Sequence, residues 1–201
     1  SHMPWADISE AGRWFTWATV NSLAWITVVA VRMAASFHRL RYPREVFAAV
    51  RAAWPADRRV CVRLSCHDWF PGGNTADDAV AMARLFKAAG ADMIDCSSGQ
   101  VSAQQKPVYG RMYQTPFADR IRNEVGIQTI AVGAISEVDH VNSIIAAGRA
   151  DLCAIARPHL ADPAWTLHEA AKLQSRAVSW PLPYLSGRDQ LYRELSKQKQ
   201  A

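Results

Sequence analysis

"KAAGADMIDCS", residues 87–97, ends a helical pattern at Gly90, turns through Asp92 and enters a short run of apolar residues. "IAAGRADLCAIA", residues 145–156, has the same order of helix, glycine, aspartate turn and apolar run. A glycine after the last periodic residue is a helix stop signal, and a continuous apolar run is typical of a fully buried strand. The repetition therefore predicts successive helix–strand units of the kind that build a (β/α) barrel.

The same alternation continues outward from both segments. Apolar strands are predicted at residues 59–65, 92–98, 128–133 and 151–156. Helices are predicted at residues 44–54, 75–90, 116–126, 136–148 and 163–173. Apolar strands that alternate with amphipathic helices indicate a parallel sheet covered by helices. The predicted fold is therefore α/β, a (β/α) barrel of TIM type in which only about four βα units are present, a half-barrel.

A half-barrel of this kind leaves two strand edges and an apolar inner face that need cover. We predict that the cover comes either from the tryptophan-rich residues 4–36 or from a second copy of the chain related by a two-fold axis. Residues 1–3 are interpreted as an expression scar, and residues 4–36 as an N-terminal segment without an assigned structure. The half-barrel is predicted at residues 37–185 and a C-terminal tail at residues 186–201.

Composition narrows the class of protein. The 201 residues are 50% hydrophobic and 20% charged, which suits a folded domain with a buried core. The net charge is only +5, and the sequence contains no long run of charges of one sign, so no nucleic-acid partner is predicted. The four cysteines have no CxxC spacing and are interpreted as buried side chains of a cytoplasmic protein without a metal site. The uncharged residues 14–31 are interpreted as a packing element, with a membrane span or signal peptide as the alternative.

Ligands of parallel α/β sheets bind beyond the carboxyl ends of the strands. At the ends of the last two predicted strands lie Gly133 with Ala134, and Ala156 with Arg157. Small residues let backbone N–H groups approach an anion, and an arginine contacts phosphate through two donors. We therefore predict that these two loops converge on one phosphate group. The alternative is an ion pair between Arg157 and a local carboxylate such as Asp162.

Arg63 lies inside the strand at 59–65, where a charge needs an anionic or electron-rich partner. If Arg63 faces the barrel mouth, it would stabilise negative charge on a ligand such as a reduced flavin ring; an interior structural ion pair is the alternative. His67, Ser98 and Tyr113 follow predicted strands and are weaker candidates for substrate contact. His67 has a hydrogen bond within its own loop as an alternative role, and no catalytic residue is assigned.

Residues 59–102, 113–135 and 144–165 resemble the flavin-dependent ene-reductases, the old yellow enzyme or NADH:flavin oxidoreductase family. The stretch "CSSGQVSAQQKPVYGRMYQTPFADRIRNE", residues 96–124, is especially similar to the reductase-like part of salicylyl-CoA 5-hydroxylases and aminobenzoyl-CoA monooxygenase/reductases. The resemblance extends over residues 37–185.

This resemblance implies an FMN-binding barrel enzyme that takes NAD(P)H as reductant and passes hydride to a small-molecule substrate, an activated alkene or enone-like acyl thioester. Arg63 would then face the flavin pyrimidine, while Gly133, Ala134, Ala156 and Arg157 would hold the FMN phosphate. The family usually has glycine where this chain has Ala156, so the backbone N–H is kept and a methyl group is added.

The sequence departs from the family upstream of residue 37. Residues 4–32 look unrelated, and the family's first four strands and substrate-binding histidine pair have no counterpart. We therefore expect a truncated, catalytically impaired FMN oxidoreductase domain. The alternative is a non-catalytic, self-associating half-barrel that binds a phosphate-bearing ligand or none. A third hypothesis is a phosphosugar-type barrel enzyme without flavin, in which His67 or Asp68 would have to be the acid or base.

Overall fold

The structure, a computed structural model, describes residues 24–26 and 40–198, with side chains from residue 40 onward. The expression scar predicted at residues 1–3, most of the segment 4–36 and most of the uncharged run 14–31 lie outside the described residues.

Five strands and seven α-helices are described. The strands are β1 (Ala24–Ile26), β2 (Val60–Ser65), β3 (Met93–Ser97), β4 (Gln128–Val132) and β5 (Leu152–Ala154). The helices are α1 (Arg41–Ala53), α2 (Ala76–Ala88), α3 (Thr115–Val125), α4 (Val138–Ala146), α5 (Arg157–Ala161), α6 (Trp165–Lys172) and α7 (Leu185–Gln198), and a 3-10 turn covers Leu182–Tyr184. Every predicted strand and helix has a counterpart among them.

The strands form one parallel sheet in the order β1-β2-β3-β4-β5. The register runs in step across it, with Val62 opposite Ile94, Ile94 opposite Thr129, and Ala131 opposite Cys153. Each step from one strand to the next along β2 to β5 passes through a helix, as parallel pairing requires. The predicted α/β class, a partial barrel with outer helices, is confirmed.

The two faces of the sheet differ in what they bury. Because side chains alternate along a strand, Val60, Val62 and Leu64 share one face, where all three are fully buried. The aromatic rings of Phe47 on α1 and Phe86 on α2, whose centroids are 5.5 Å apart, are also fully buried. The opposite, inner face carries a smaller apolar cluster and the one charged residue of β2; the cluster consists of Cys61, Met93 and Ile130, with Leu152 and Ala154 packed against it.

The structure corrects three expectations. The strand at 151–156 is shorter than predicted and not fully buried, because β5 has only β4 beside it in the sheet of the described residues. Residues 157–161 form the separate short helix α5, which the sequence analysis missed. The C-terminal tail predicted from residue 186 is helical as far as Gln198, although its only buried residue is Tyr192, too little apolar surface for a visible helical period.

The chain divides into two compact units. Among the described residues, one contains residues 24–26, 40–135 and 139–154 and therefore the sheet with α1, α2 and α3, whereas the other contains residues 136–138 and 155–198. Within the described part of the chain, no helix is both long and apolar enough to cross a membrane. The same residues contain no group of three or more potential metal ligands.

Candidate functional site

The loops that follow β2 and β3 are tied to each other by backbone hydrogen bonds. Ser65 and Ser97, the last residues of the two strands, are register partners. Beyond them, the N–H of Cys66 donates to the Ser97 carbonyl at 2.7 Å, and the N–H of Gly99 donates to the His67 carbonyl at 2.8 Å. The carboxyl ends of these strands therefore form one continuous framework, on which the predicted site residues are mounted.

Arg63 is held on the inner face of the sheet by two neighbours on β3. Its Nη1 donates to Asp95 Oδ2 at 2.9 Å and its Nη2 donates to Ser97 Oγ at 3.0 Å. The Asp95 side chain is 4% exposed, whereas 39% of the Arg63 side chain is exposed. The ion pair that the sequence analysis left open as an alternative is therefore present. It uses two of the five N–H donors of the guanidinium, so the remaining donors stay available to a ligand.

Burial raises the pKa values of two groups in this cluster. Desolvation raises the pKa of Asp95 above its usual value, and the adjacent Arg63 guanidinium acts in the opposite direction. The Oδ1 atom of Asp95 is buried without a hydrogen-bond partner among the described residues. Desolvation, with a smaller contribution from the Asp95 charge, raises the pKa of the Cys61 thiol to about 12. Cys61 is therefore a thiol at neutral pH and has no role as a nucleophile.

His67 is engaged within its own loop. Its Nδ1 accepts the backbone N–H of Trp69 at 2.9 Å, which leaves the ring proton on Nε2 when the imidazole is neutral. Its ring centroid lies 4.5 Å from that of Trp69 and 5.9 Å from that of Phe117 on α3. The loop role proposed as an alternative for His67 is thus observed, and its contact with substrate stays a prediction.

Asp68 and Ser98 are also bound into the framework. Asp68 is fully buried and accepts hydrogen bonds from the Ser65 hydroxyl and the Asn74 N–H, which closes the loop after β2. Ser98 Oγ accepts from Trp69 Nε1 at 2.9 Å and donates to Gln114 Oε1 at 2.6 Å. The hydroxyl therefore uses its one donor hydrogen in the bond to Gln114, and a substrate contact of Ser98 would have to use its second lone pair.

The loop after β4 turns sharply at two consecutive residues with positive φ, Gly133 at 102° and Ala134 at 51°. A Cβ at Gly133 would lie 2.2 Å from Gln114 Nε2 and 3.0 Å from a ring carbon of Tyr113, so only glycine fits. Tyr113 is therefore adjacent to Gly133, and its ring also packs edge-on against that of Tyr109. Ser98, Tyr113 and Gly133 are brought into one neighbourhood, as expected for residues at one end of a parallel sheet.

Ala156 and Arg157 follow the end of β5. Val132 and Ala154 are partners in a parallel pair, so the carboxyl ends of β4 and β5 lie at the same end of the sheet. Ala156 and Arg157 are both exposed, and Arg157 is the first residue of α5. Their convergence with Gly133 on one phosphate stays a prediction.

The alternative partner of Arg157 is occupied elsewhere. Asp162 Oδ1 accepts from the N–H of Ala164 at 3.0 Å, and its Oδ2 lies 2.6 Å from His168 Nδ1. Within the described part of the chain, no hydrogen bond or ion pair is recorded for the Arg157 guanidinium. The local ion pair between Arg157 and Asp162 is therefore not formed.

Sequence reasoning missed Asp95, and it placed Gln114, together with Tyr113, only in a loop that can reach over the barrel mouth. Asp95 lies in an apolar strand, and its signal is the register that places it beside Arg63, which single-sequence periodicity does not provide. Gln114 precedes α3 in a long loop and has no sequence signal beyond its proximity to Pro116. Both act through tertiary contacts, which become visible only in the folded chain.

The chain is similar to known proteins of one enzyme family. The model of the NADH:flavin oxidoreductase / NADH oxidase family matches residues 36–175. The chain is 38% identical over 147 residues to an NADPH dehydrogenase of Halalkalibacterium halodurans, which covers 73% of this chain and 42% of the relative. It is 40% identical over 150 residues to an NADPH dehydrogenase of a Geobacillus species, which covers 75% of this chain and 43% of the relative. The chain thus spans about two fifths of the length of these relatives.

Two solved structures share the fold. A 2-naphthoyl-CoA reductase in complex with 2-naphthoyl-CoA superposes with a TM-score of 0.58 and 20% identity over 68% of this chain and 21% of that chain. A 6-hydroxypseudooxynicotine amine oxidase from Pseudomonas geniculata gives the same TM-score and coverage at 26% identity. At these identities the likeness to the reductase concerns the fold alone.

Proposed function

Because the chain belongs to the NADH:flavin oxidoreductase / NADH oxidase family, we propose that it supplies the FMN-binding part of an oxidoreductase that takes its electrons from NAD(P)H. Family membership implies FMN as the cofactor, and the NADPH dehydrogenase relatives imply NADPH as the reductant. The observation that carries the proposal is Arg63, an arginine on the inner face of the sheet that keeps N–H donors after pairing with Asp95.

The residues of this chain suit such a cofactor. Arg63 would donate to the electron-rich edge of the flavin ring, and its pairing with Asp95 fixes the direction of the guanidinium. Gly133 and Ala134 turn through positive φ, and such turns direct successive backbone N–H groups toward an anion. Arg157, exposed and without a recorded partner in the described residues, would complete the phosphate site together with the N–H of Ala156. Bound there, FMN supplies the two-electron transfer chemistry.

We further propose that the substrate is a small molecule with an activated double bond, such as an enone-like acyl thioester. The support is the similarity of residues 96–124 to the reductase-like part of enzymes that act on aromatic CoA thioesters. His67, Ser98 and Tyr113 lie in loops at the carboxyl ends of β2 and β3 and are the proposed contacts. A cytoplasmic location is part of the proposal, since Cys61, Cys66, Cys96 and Cys153 are all free thiols.

The same chain is proposed to be catalytically impaired when alone, because it spans only about two fifths of its relatives' length. The second candidate is a self-associating half-barrel without catalysis that binds a phosphate-bearing ligand or none. The observation that favours it is the β5 edge, which has no further strand beside it among the described residues and where Leu152, Cys153 and Ala154 are only half-buried.

One experiment separates these candidates. The 201-residue chain is incubated with FMN, freed of unbound FMN by gel filtration and scanned in the visible range. We expect a flavin absorbance band that co-elutes with the protein, and its absence would contradict the FMN proposal. Anaerobic addition of NADPH to the loaded protein then tests the reductant: bleaching supports a competent reductase, and a stable colour supports an FMN-binding part that needs more chain.

A further inference from the structure

Gln114 is a buried amide with a partner at each end. The residue is 3% exposed, which places it among the least accessible polar residues of the sheet-containing unit. Nε2 donates to the Val132 carbonyl at 3.0 Å, and Oε1 accepts the Ser98 hydroxyl at 2.6 Å. One side chain therefore connects the carboxyl ends of β3 and β4.

The amide also lies against the turn that follows β4. A Cβ at Gly133 would come within 2.2 Å of Gln114 Nε2, so the backbone of Gly133 is in direct contact with the amide. Next to it, the N–H of Met112 donates to the Ala134 carbonyl at 3.2 Å. Residues 112–114 thus hold both residues of the turn from one side.

Ala134 needs such support. Its φ of 51° is a left-handed conformation that carries a steric cost for any residue with a Cβ. Backbone conformations of this kind persist only when the surroundings enforce them, and they are frequent where a ligand is bound. The contacts of Gln114 and Met112 are the surroundings that the structure provides.

From these contacts we infer that Gln114 is a positioning residue for the phosphate-binding turn Gly133–Ala134, an inference that rests on the proposed FMN function. Gln114 keeps the turn in its left-handed path, so that the backbone N–H groups face the phosphate. Loss of the amide lets Ala134 relax toward negative φ and turns its N–H away. The flavin ring, held by Arg63 on β2, does not depend on this turn.

The inference predicts a loss confined to the phosphate end of the ligand. Gln114→Met keeps the length of the side chain but removes both hydrogen bonds. Fluorescence titrations with FMN and with riboflavin, which lacks the phosphate, should give an FMN affinity lower by about tenfold and an unchanged riboflavin affinity. A general structural role would weaken both ligands alike.

Gln105→Met is the matched control. Gln105 also packs its amide against a glycine of positive φ, Gly99, and its Oε1 accepts the Gln100 N–H at 2.6 Å. It lies in the same long loop but does not contact the turn after β4. This variant should bind both ligands as the unchanged chain does.

Four outcomes would overturn the inference. An unchanged preference for FMN in Gln114→Met, or an equal loss for both ligands, overturns the positioning role while leaving the proposed function intact. A parent chain that shows no preference for FMN over riboflavin contradicts the proposed function and the inference together. If Gln114→Met does not fold, Ser98→Ala removes the hydrogen bond to Gln114 Oε1 together with the one from Trp69 Nε1 but keeps the Gln114 bond to Val132. It is expected to lower FMN affinity selectively but less, and no selectivity would overturn the role.

Discussion

At the scale of single residues, the inner face of the sheet contains a charge pair whose members have unequal access to water. Asp95 is almost fully buried and Arg63 is partly exposed, so the carboxylate bears most of the desolvation cost. The sequence predicts that Arg63 lies within a strand but does not identify its partner, because the register between β2 and β3 depends on tertiary structure. The pair fixes the guanidinium without using all its donors.

Asp95 should make stability depend on pH in a defined direction. Since the folded pKa is raised above the ordinary value of 3.8, the native state binds more protons than the unfolded state between these two values. The unfolding free energy contributed by Asp95 therefore falls as pH rises from 3.8 through the raised pKa. Urea unfolding at a series of pH values should show this fall in the parent chain relative to Asp95→Asn, and a difference that grows with pH would contradict it.

Arg157→Ala should weaken FMN binding by about 2 kcal/mol, the size of a charge-assisted hydrogen-bonded contact. Riboflavin binding should not change, because the lost contact is to the phosphate. Arg44→Ala removes an exposed arginine from α1 and is the control for net charge. Titration calorimetry measures FMN and riboflavin binding to the parent chain and to both variants. An unchanged FMN affinity in Arg157→Ala would contradict the phosphate assignment.

At the scale of elements, the predicted and observed helices agree where capping residues or a proline in the sequence mark the start of the helix. Thr75 forms a capping box with Asp78 at the start of α2, and Pro116 lies in the first turn of α3. Three elements were missed: β1 and α5, with three and five residues, are too short for periodicity to show, and α7 has Tyr192 as its single buried residue. Arg157 consequently begins a short helix instead of ending a strand.

Gly126 gives a test at this scale. It caps α3 in the left-handed conformation at φ 67°, and an added Cβ would approach Lys87 Nζ no closer than 3.5 Å. Gly126→Ala should therefore lower the unfolding free energy by about 1 kcal/mol through backbone strain alone. Gly187→Ala, inside α7 with open space around it, should instead raise stability by up to about 1 kcal/mol. Circular dichroism in urea compares them, and shifts of the same sign would contradict the assignment.

At the scale of the whole molecule, the sheet is open in the described residues. β1 pairs with β2 and β5 pairs with β4, and neither end strand has a second neighbour there. The half-barrel was predictable because helix–strand alternation is encoded locally. The convergence of Gly133 and Arg157 was not confirmed with it, because it depends on how distant loops meet in space.

Open edges and a partly apolar inner face favour self-association. We expect sedimentation equilibrium to give a molar mass of twice 22.3 kDa, the mass of two copies of the chain. A monomer that stays monodisperse across concentrations would contradict the need for a second copy.

Our central proposal is that the loops after β4 and β5 both contact one phosphate. A crystal structure of the chain soaked with FMN tests it most directly. The account predicts phosphate oxygens within hydrogen-bond distance of both the Gly133–Ala134 backbone and the Arg157 guanidinium, with the flavin ring beside Arg63. A phosphate bound elsewhere, or Gly133 and Arg157 at opposite ends of the sheet, would contradict it.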